Sequence, residues 1–220
     1  MVASERRRPR ADAQRNRGLL LESAARVFAR DGRDASLNQI AREAGVGIGT
    51  LFRHFATREE LIEATFRNEL ARICDAAAEL ATGPSPARAT AEWMDRFLEY
   101  MTAKHGMVDT LQAMMTTGSP LYDETLGRLT HAVRGLMNAG VVCGEFRDDV
   151  DPSDVLAQLG GIAYMAGEPE QRQQARRMIA LLLDGLRPVG GRGALRADPP
   201  GLNRRDLHKE DRPVRSRGRQ

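Results

Sequence analysis

The glycine-rich stretch Gly45-Val-Gly47-Ile-Gly49-Thr50 contains the residues whose types and spacing most suggest chemistry. The backbone N–H groups of such a loop can cradle phosphate, but the dinucleotide-binding loop must follow a β-strand. The residues before Gly45 instead carry a helical pattern. Their apolar side chains recur at three- and four-residue spacing, at Leu37, Ile40, Ala41 and Ala44. The stretch therefore predicts a turn between two helices and argues against a nucleotide site.

Histidines and aspartates are the other candidates for catalysis or metal binding. The four histidines are scattered through the chain, at His54, His105, His131 and His208. No nucleophile, carboxylate pair or metal-ligand spacing surrounds them. The acidic residues Asp151 and Asp154 are explained as the N-cap and the first-turn acid of a helix. We therefore expect neither an enzyme nor a metal or cofactor site.

Residues 36–55 predict two short helices folded tightly across a glycine. Ser36 and Gln39 have the spacing of a capping box at the start of the first helix. Gly45 lies just past the last apolar position, where a glycine can adopt the left-handed conformation that ends a helix. The second helix is predicted at roughly 48–55. Such a helix-turn-helix presents its second helix to a DNA groove, and the alternative is a plain packed hairpin.

The second of these helices is predicted to have one buried side and glycines at its start. Leu51 and Phe55 are four positions apart and are predicted to be buried together. Gly47 and Gly49 carry no side chain, so the backbone at the start of the helix can come close to bases or phosphates. These features favour DNA binding by this segment.

Five segments resemble, in order and at the usual spacing, the amino-terminal domain of TetR-type transcriptional regulators. They are residues 20–28, Gly32, residues 36–46, residues 49–55 and residues 57–61. The resemblance covers about residues 15 to 70 and implies an all-α fold. That fold has a three-helix DNA-binding head with a helix-turn-helix and a helical body for ligand binding and dimerisation, about nine helices in all. The rest of the chain is similar only in helical character and length, so no effector carries over.

The resemblance also implies roles for individual residues in binding double-stranded DNA. Ser36 and Asn38 meet phosphate or a base edge, and Arg58 reaches a phosphate. The residues that face the major groove are Gly47, Ile48, Gly49, Thr50 and Arg53, while those that contact the backbone or neighbouring sugars are Phe52 and His54. Ile48 or Thr50 would pack on thymine methyl groups, and Arg53 or Asn38 would supply the hydrogen-bonding readout. For His54 the alternative is a packing role.

The basic residues are concentrated at the two ends of the chain. Residues 1–18 carry six Arg against two acidic residues, residues 188–220 carry nine Lys or Arg against four, and the central part is acidic. The ends hold too few large apolar residues to offset the entropy of ordering. We therefore expect a disordered basic arm at 1–12, the helix-turn-helix domain (the head) at 13–60, the ligand-binding and dimerisation domain (the body) at 61–187, and a disordered basic tail at 188–220.

Methionine and aromatic side chains of the body are suited either to the core or to a pocket for a mostly apolar small molecule. The candidates for the pocket are Trp93, Phe97, Tyr100, Met101, Met107, Leu111, Met114, Met115, Met137 and Tyr164. The resemblance favours a pocket role for some of them. We therefore expect an unidentified small-molecule effector.

Gly160 and Gly161 lie inside a predicted helix, where each costs about 1 kcal/mol relative to alanine. Close contact with another helix would explain both. Together with the apolar stripe of the last helix they predict a homodimer interface of four helices, two from each subunit; the alternative is internal packing. The residues assigned to the interface are Leu156, Leu159, Gly160, Gly161, Ala163, Ala175, Met178, Ile179, Leu182, Leu183 and Leu186.

The two cysteines and the hydropathy of the chain bear on its location. Cys74 and Cys143 are 69 positions apart and have no redox or metal motif around them. No apolar run approaches the roughly 18 residues that a membrane span requires. We therefore expect a cytoplasmic protein with no membrane partner.

The predicted function is a sequence-specific DNA-binding transcriptional regulator. The favoured form is a homodimeric repressor that a small-molecule effector releases from an inverted-repeat operator. The alternatives are an activator or an effector-independent DNA binder with the same fold, and a helical enzyme that carries a DNA-binding head.

Overall fold

Helices make up the part of the chain that the structure describes. This computed structural model describes residues 8–105, 107, 111, 119–166 and 169–188. In chain order the helices are α1 (Arg8–Asp31), α2 (Leu37–Glu43), α3 (Ile48–His54), α4 (Arg58–Leu80), α5 (Pro86–His105), α6 (Pro120–Val142), α7 (Pro152–Tyr164) and α8 (Pro169–Leu186). These ranges contain no β-strand. The predicted all-α fold is confirmed, with eight α-helices in the described residues where the sequence predicts about nine in the chain.

The predicted arm, the predicted tail and the pocket residues Met114 and Met115 lie wholly or largely outside the described residues. Residues 1–7 of the arm and 189–220 of the tail are among those not described. Residues 8–12, however, form the start of α1 and not an arm. Pro9 is compatible with this because proline is tolerated in the first turn of a helix, where its missing N–H has no partner to lose.

One side of α1 belongs to the hydrophobic core. Leu20, Ala24, Val27 and Phe28 are fully buried, at the three- and four-residue spacing of a helix face. The helix stops at Asp31, and Gly32 follows with a φ of 55°, which a residue with a Cβ rarely adopts. A single turn of 3-10 helix then leads to α2.

The long helix α4 runs from the head into the body. At its start the Thr57 hydroxyl accepts a hydrogen bond from the Glu60 N–H at 3.1 Å, and the Glu60 carboxylate accepts one from the Ala56 N–H at 2.7 Å. These two bonds come close to a capping box. With 23 residues the helix is about 35 Å long. It packs against α1 at one end and against α5 and α6 in the body.

The remaining helices of the body share one continuous core with the head. The buried cluster extends from Leu20 in α1 to Leu186 in α8. Asp151 caps α7 as predicted, since its carboxylate accepts a hydrogen bond from the Ser153 N–H at 2.8 Å. None of the helices in the described ranges is long and apolar enough to cross a membrane.

Candidate DNA-binding site

The turn between α2 and α3 has the geometry that its glycine predicts. Gly45 has a φ of 70°. The Val46 N–H donates to the Ala41 carbonyl at 3.0 Å, and the Gly45 N–H donates to the Arg42 carbonyl at 3.1 Å. These two bonds form a Schellman motif, which satisfies carbonyl groups at the end of α2. α3 begins at once, with Gly47 as its N-cap residue.

The start of α2 differs from the predicted capping box. Ser36 occupies the N-cap position, but its side chain makes no capping hydrogen bond. The amide of Gln39 instead donates to Asp31 Oδ2 at 2.9 Å. Because the acceptor is ionised, this bond is stronger than one between neutral groups, and it commits the Gln39 side chain to Asp31. Gln39 therefore ties α2 to the end of α1.

A network of charged side chains completes this tie between α1 and α2. The Arg30 guanidinium donates to Asp31 Oδ1 and to Glu43 Oε1, each at 2.8 Å. These hydrogen bonds hold the pKa of both carboxyl groups below their ordinary values. The network lies at the surface, where ion pairs contribute little net stability, so its main effect is on the geometry of the head. Sequence reasoning missed it because Arg30 and Glu43 are 13 positions apart and no local pattern links them.

The outer face of α3 is exposed, as a helix that binds DNA requires. Leu51 is fully buried in the head and Phe55, just after the helix, is also buried. Ile48 and Phe52 are large apolar side chains that are 37% and 49% exposed. They lie one turn apart on the helix, so they form a small apolar ridge that no part of the described chain covers.

The other predicted DNA-contacting residues at the start of α2 and in and beside α3 are exposed or half-buried. Those that are exposed are Ser36, Asn38, Gly47, Gly49 and Arg53, and those that are half-buried are Thr50 and His54. A Cβ added at Gly49 would meet no atom within 4 Å. Packing within the described chain therefore does not require a glycine there.

His54 lies at the junction between α3 and the other helices of the head. Its ring centroid is 6.3 Å from that of Phe55. The guanidinium carbon of Arg17 lies 5.3 Å from the Phe55 ring centroid, a cation–π distance. Arg17 therefore braces the end of α3 from α1. The sequence offers no sign of this contact, since Arg17 belongs to a basic cluster at the amino terminus.

Arg58 is used inside the head in a way that the sequence did not predict. Its guanidinium donates to the carbonyl oxygens of Ala35 at 2.5 Å and Arg33 at 3.3 Å. Its central carbon lies 5.3 Å from the ring centroid of Phe28. Arg58 thus ties the first turn of α4 to the segment that enters α2. This arrangement favours a positioning role, whereas the sequence predicts a phosphate contact.

The predicted pocket residues that the structure describes differ in how deeply they are buried. The buried members are Trp93, Phe97, Tyr100, Met107, Leu111 and Met137, and Met101 is half-buried. Tyr164 is 76% exposed and is therefore no part of an interior pocket. Its position on α7 follows the helix period that buries Leu156, Leu159 and Ala163 on the opposite side.

Several residues predicted for the dimer interface are buried in the core of the chain itself. They are Leu156, Leu159, Ala163, Ala175, Ile179 and Leu186. Internal packing, the alternative to the interface, therefore accounts for these six. Gly160, Met178, Leu182 and Leu183 are half-buried, and Gly161 is exposed.

The exposed apolar surface of α7 and α8 consists of other residues. Tyr164, Met165 and Leu181 are 76%, 51% and 72% exposed. A Cβ added at Gly160 or Gly161 would meet no atom within 4 Å, so no helix of the described chain approaches either glycine closely. Within the described residues, the close helix contact that the sequence predicts there is therefore absent.

No candidate metal site occurs in the part of the chain that the structure describes. Among those residues, no three His, Cys, Asp or Glu side chains converge as ligands for an ion.

Comparisons with known proteins agree with this architecture. Residues 20–65 match the family model "Bacterial regulatory proteins, tetR family", and residues 85–188 match "Transcriptional regulator SbtR-like, C-terminal domain". The crystal structure of the TetR transcriptional regulator SCO0520 from Streptomyces coelicolor is 47% identical in sequence, with a TM-score of 0.72 over 79% of this chain and 99% of that one. The chain belongs to the TetR family of transcriptional regulators. It is therefore a DNA-binding regulator and not an enzyme, as the sequence predicts.

Two further relatives support the same assignment for this TetR-family chain. A TetR regulatory protein from Mycobacterium vanbaalenii is 31% identical, with a TM-score of 0.65 over 81% of this chain and 99% of that one. The transcriptional repressor KstR2 from Rhodococcus jostii is 27% identical over 181 residues, which are 76% of this chain and 89% of the relative.

Proposed function

We propose that this chain is a homodimeric repressor that binds an inverted-repeat operator and leaves it when a small-molecule effector binds in the body. The observation that carries the DNA-binding part of the proposal is the exposed face of α3. Ile48, Phe52 and Arg53 are presented outward there, while Leu51 anchors the helix in the core. The apolar ridge fits thymine methyl groups, and Arg53 offers a bidentate donor for guanine.

The repressor assignment rests on a relative. KstR2, which is 27% identical over most of both chains, is named a transcriptional repressor. Bound DNA is released if the effector binds preferentially to a conformation in which the two recognition helices have the wrong spacing. The long helix α4 connects the head and the body, which makes it the element suited to change that spacing.

The homodimer proposal rests on the uncovered surface of α7 and α8. Leu181 on α8 is 72% exposed, and Tyr164 at the end of α7 is 76% exposed. Gly161 of α7 is exposed and has open space around its missing side chain. A second copy packed on this surface would bury the apolar side chains and would approach the glycine closely. It would also give two copies of α3 for two half-sites.

The test is the binding of the full chain to the DNA upstream of its own gene. We expect saturable binding at fixed salt that a scrambled fragment of equal length does not reproduce, and two symmetric half-sites in a footprint. Addition of a cell extract should release the complex. If no extract releases the complex, the chain binds DNA independently of an effector. A reporter assay then separates the two signs of regulation, because a repressor lowers transcription and an activator raises it.

A matched pair of variants tests the readout by α3. Arg53→Ala should reduce the preference for the operator over scrambled DNA, because Arg53 is proposed to contact a base. Arg134→Ala removes one exposed positive charge from α6, away from the head, and should leave that preference unchanged. An equal loss on operator and scrambled DNA for Arg53→Ala would contradict its role in base recognition.

A further inference from the structure

One face of α5 changes from aromatic to polar toward the end of the helix. Trp93, Phe97, Tyr100 and Lys104 are spaced by three or four residues and therefore share this face. The first three are buried. Their ring centroids lie 5.6 Å apart between Trp93 and Phe97, and 5.8 Å apart between Phe97 and Tyr100. Lys104 is half-buried at the end of the row.

The Tyr100 hydroxyl is buried without a hydrogen-bond partner in the described part of the chain. Trp93 provides the contrast, because its indole N–H donates to the Ile73 carbonyl at 2.8 Å. Buried polar groups in native proteins are nearly always paired, and an unpaired one calls for an explanation. Burial also raises the pKa of the Tyr100 phenol, so the group stays protonated and able to donate.

Lys104 is a second polar group on the same face. Burial lowers the pKa of its ammonium group, and no neighbouring acid of the described residues opposes this effect. Partial burial disfavours a cation, and a bound anion would offset that cost. Helical side chains lean toward the amino end, so the Lys104 side chain leans toward Tyr100, about 5–6 Å away between Cβ atoms. The two groups can therefore reach one ligand atom or group together.

We propose that Tyr100 and Lys104 bind the acidic head group of the effector, and that the effector is an amphipathic carboxylate with an apolar body. The hydroxyl donates a hydrogen bond to the carboxylate, and the ammonium group neutralises its charge. The apolar body packs beside the aromatic row that Trp93 and Phe97 begin. This inference rests on the proposed effector site in the body, since it names the class of molecule that the site takes.

The test compares acids with their neutral esters on the full-length protein. The probes are decanoate and 4-phenylbutanoate, each against its methyl ester, with binding measured by calorimetry and by the shift in Tm. We expect the wild type to bind at least one acid about tenfold or more tightly than its ester, because a hydrogen bond to a charged group is worth more than one to a neutral group. Lys104→Met should abolish this preference, while Arg88→Met, which removes an exposed cation from the same helix, should keep it.

Tyr100→Phe separates a ligand contact from a structural role. This variant should weaken binding of the acid about fivefold or more, yet its own Tm should not fall, since the hydroxyl has no partner to lose. Equal binding of acid and ester by the wild type, no binding of either acid, or an acid preference that survives in Lys104→Met would each overturn the inference. Operator binding is measured on the same samples without probe. If the protein binds the operator but neither acid, only this inference is overturned. If the protein does not bind the operator, the proposed function is overturned.

Discussion

If DNA approaches the backbone of α3 at Gly49 as we propose, folding and DNA binding make opposite demands on this position, and Gly49→Ala separates them. The glycine lies in the first turn of α3, where an added Cβ would meet no atom within 4 Å. Alanine therefore fits the free protein. Because alanine restricts the unfolded chain more than glycine does, we expect the free energy of unfolding to rise by about 0.4–1 kcal/mol.

The same methyl group should weaken operator binding. Carbon atoms in contact stand about 3.5–4.0 Å apart, so a helix backbone that touches DNA at Gly49 must retreat when a Cβ is added. We expect a loss comparable to that of one base contact, about 1–3 kcal/mol, or roughly 5- to 160-fold in Kd. The matched control is Gly127→Ala. Gly127 is exposed on α6, and an added Cβ there also meets no atom within 4 Å.

The assay is fluorescence anisotropy of a labelled operator fragment at one fixed salt concentration, with the Tm of each variant measured in the same buffer. Gly49→Ala should raise the Tm and weaken binding, while Gly127→Ala should raise the Tm alone. If Gly49→Ala is more stable and binds the operator as tightly as the wild type, the backbone of α3 does not closely approach the DNA at this position. The glycines at the start of the helix would then have no role in DNA binding.

Three further predictions concern the support of the head and the dimer. Arg58→Met removes two hydrogen bonds to backbone carbonyls and should lower the free energy of unfolding by about 1–3 kcal/mol; it should weaken binding to operator and scrambled DNA alike, and unchanged chemical denaturation would contradict the positioning role. The folded-state pKa values of Asp31 and Glu43 lie below their ordinary values of 3.8 and 4.5, so their contribution is present at neutral pH and is lost as the pH falls through and below those values. The Tm of Asp31→Asn/Glu43→Gln should therefore fall less than that of the wild type between pH 7 and pH 3, and parallel falls would exclude the network as a source of acid sensitivity. Leu181→Glu should produce monomers in sedimentation experiments while Leu126→Glu, another exposed leucine, leaves the dimer intact; a dimeric Leu181→Glu would place the interface elsewhere.

Local sequence patterns account for several helix ends and for the turn between α2 and α3. Gly45 ends α2 in the left-handed conformation, and Thr57 and Asp151 cap α4 and α7 with their side chains. Each of these features depends on residues no more than five positions apart, so the sequence contains all the information that they need. The buried face of α1 was predictable for the same reason, because helical periodicity assigns residues to faces.

Predictions that depend on distant partners were less successful. Gln39 was expected to complete a cap with Ser36, but it bonds to Asp31, which a neighbouring helix brings within reach. Arg58 also has distant partners, since backbone carbonyls 23 and 25 positions earlier in the chain accept its hydrogen bonds; its contact with a phosphate stays a prediction. A side chain with several possible hydrogen-bond partners bonds to the one that the fold places nearby, and sequence spacing does not identify that partner.

The sequence by itself determined most of the helices, the turn at Gly45 and the exposed face of α3 that we propose binds DNA, because these follow from backbone hydrogen bonding and from the period of one helix. Only the tertiary structure decided which apolar side chains the chain keeps for its own core. Leu159 and Ile179 are buried inside, whereas Tyr164 and Leu181 remain exposed, where we propose that a second copy covers them. An apolar side chain gains from burial against either partner, so its type does not reveal which partner covers it, and only the packing of α7 and α8 on the rest of the body separates the two groups.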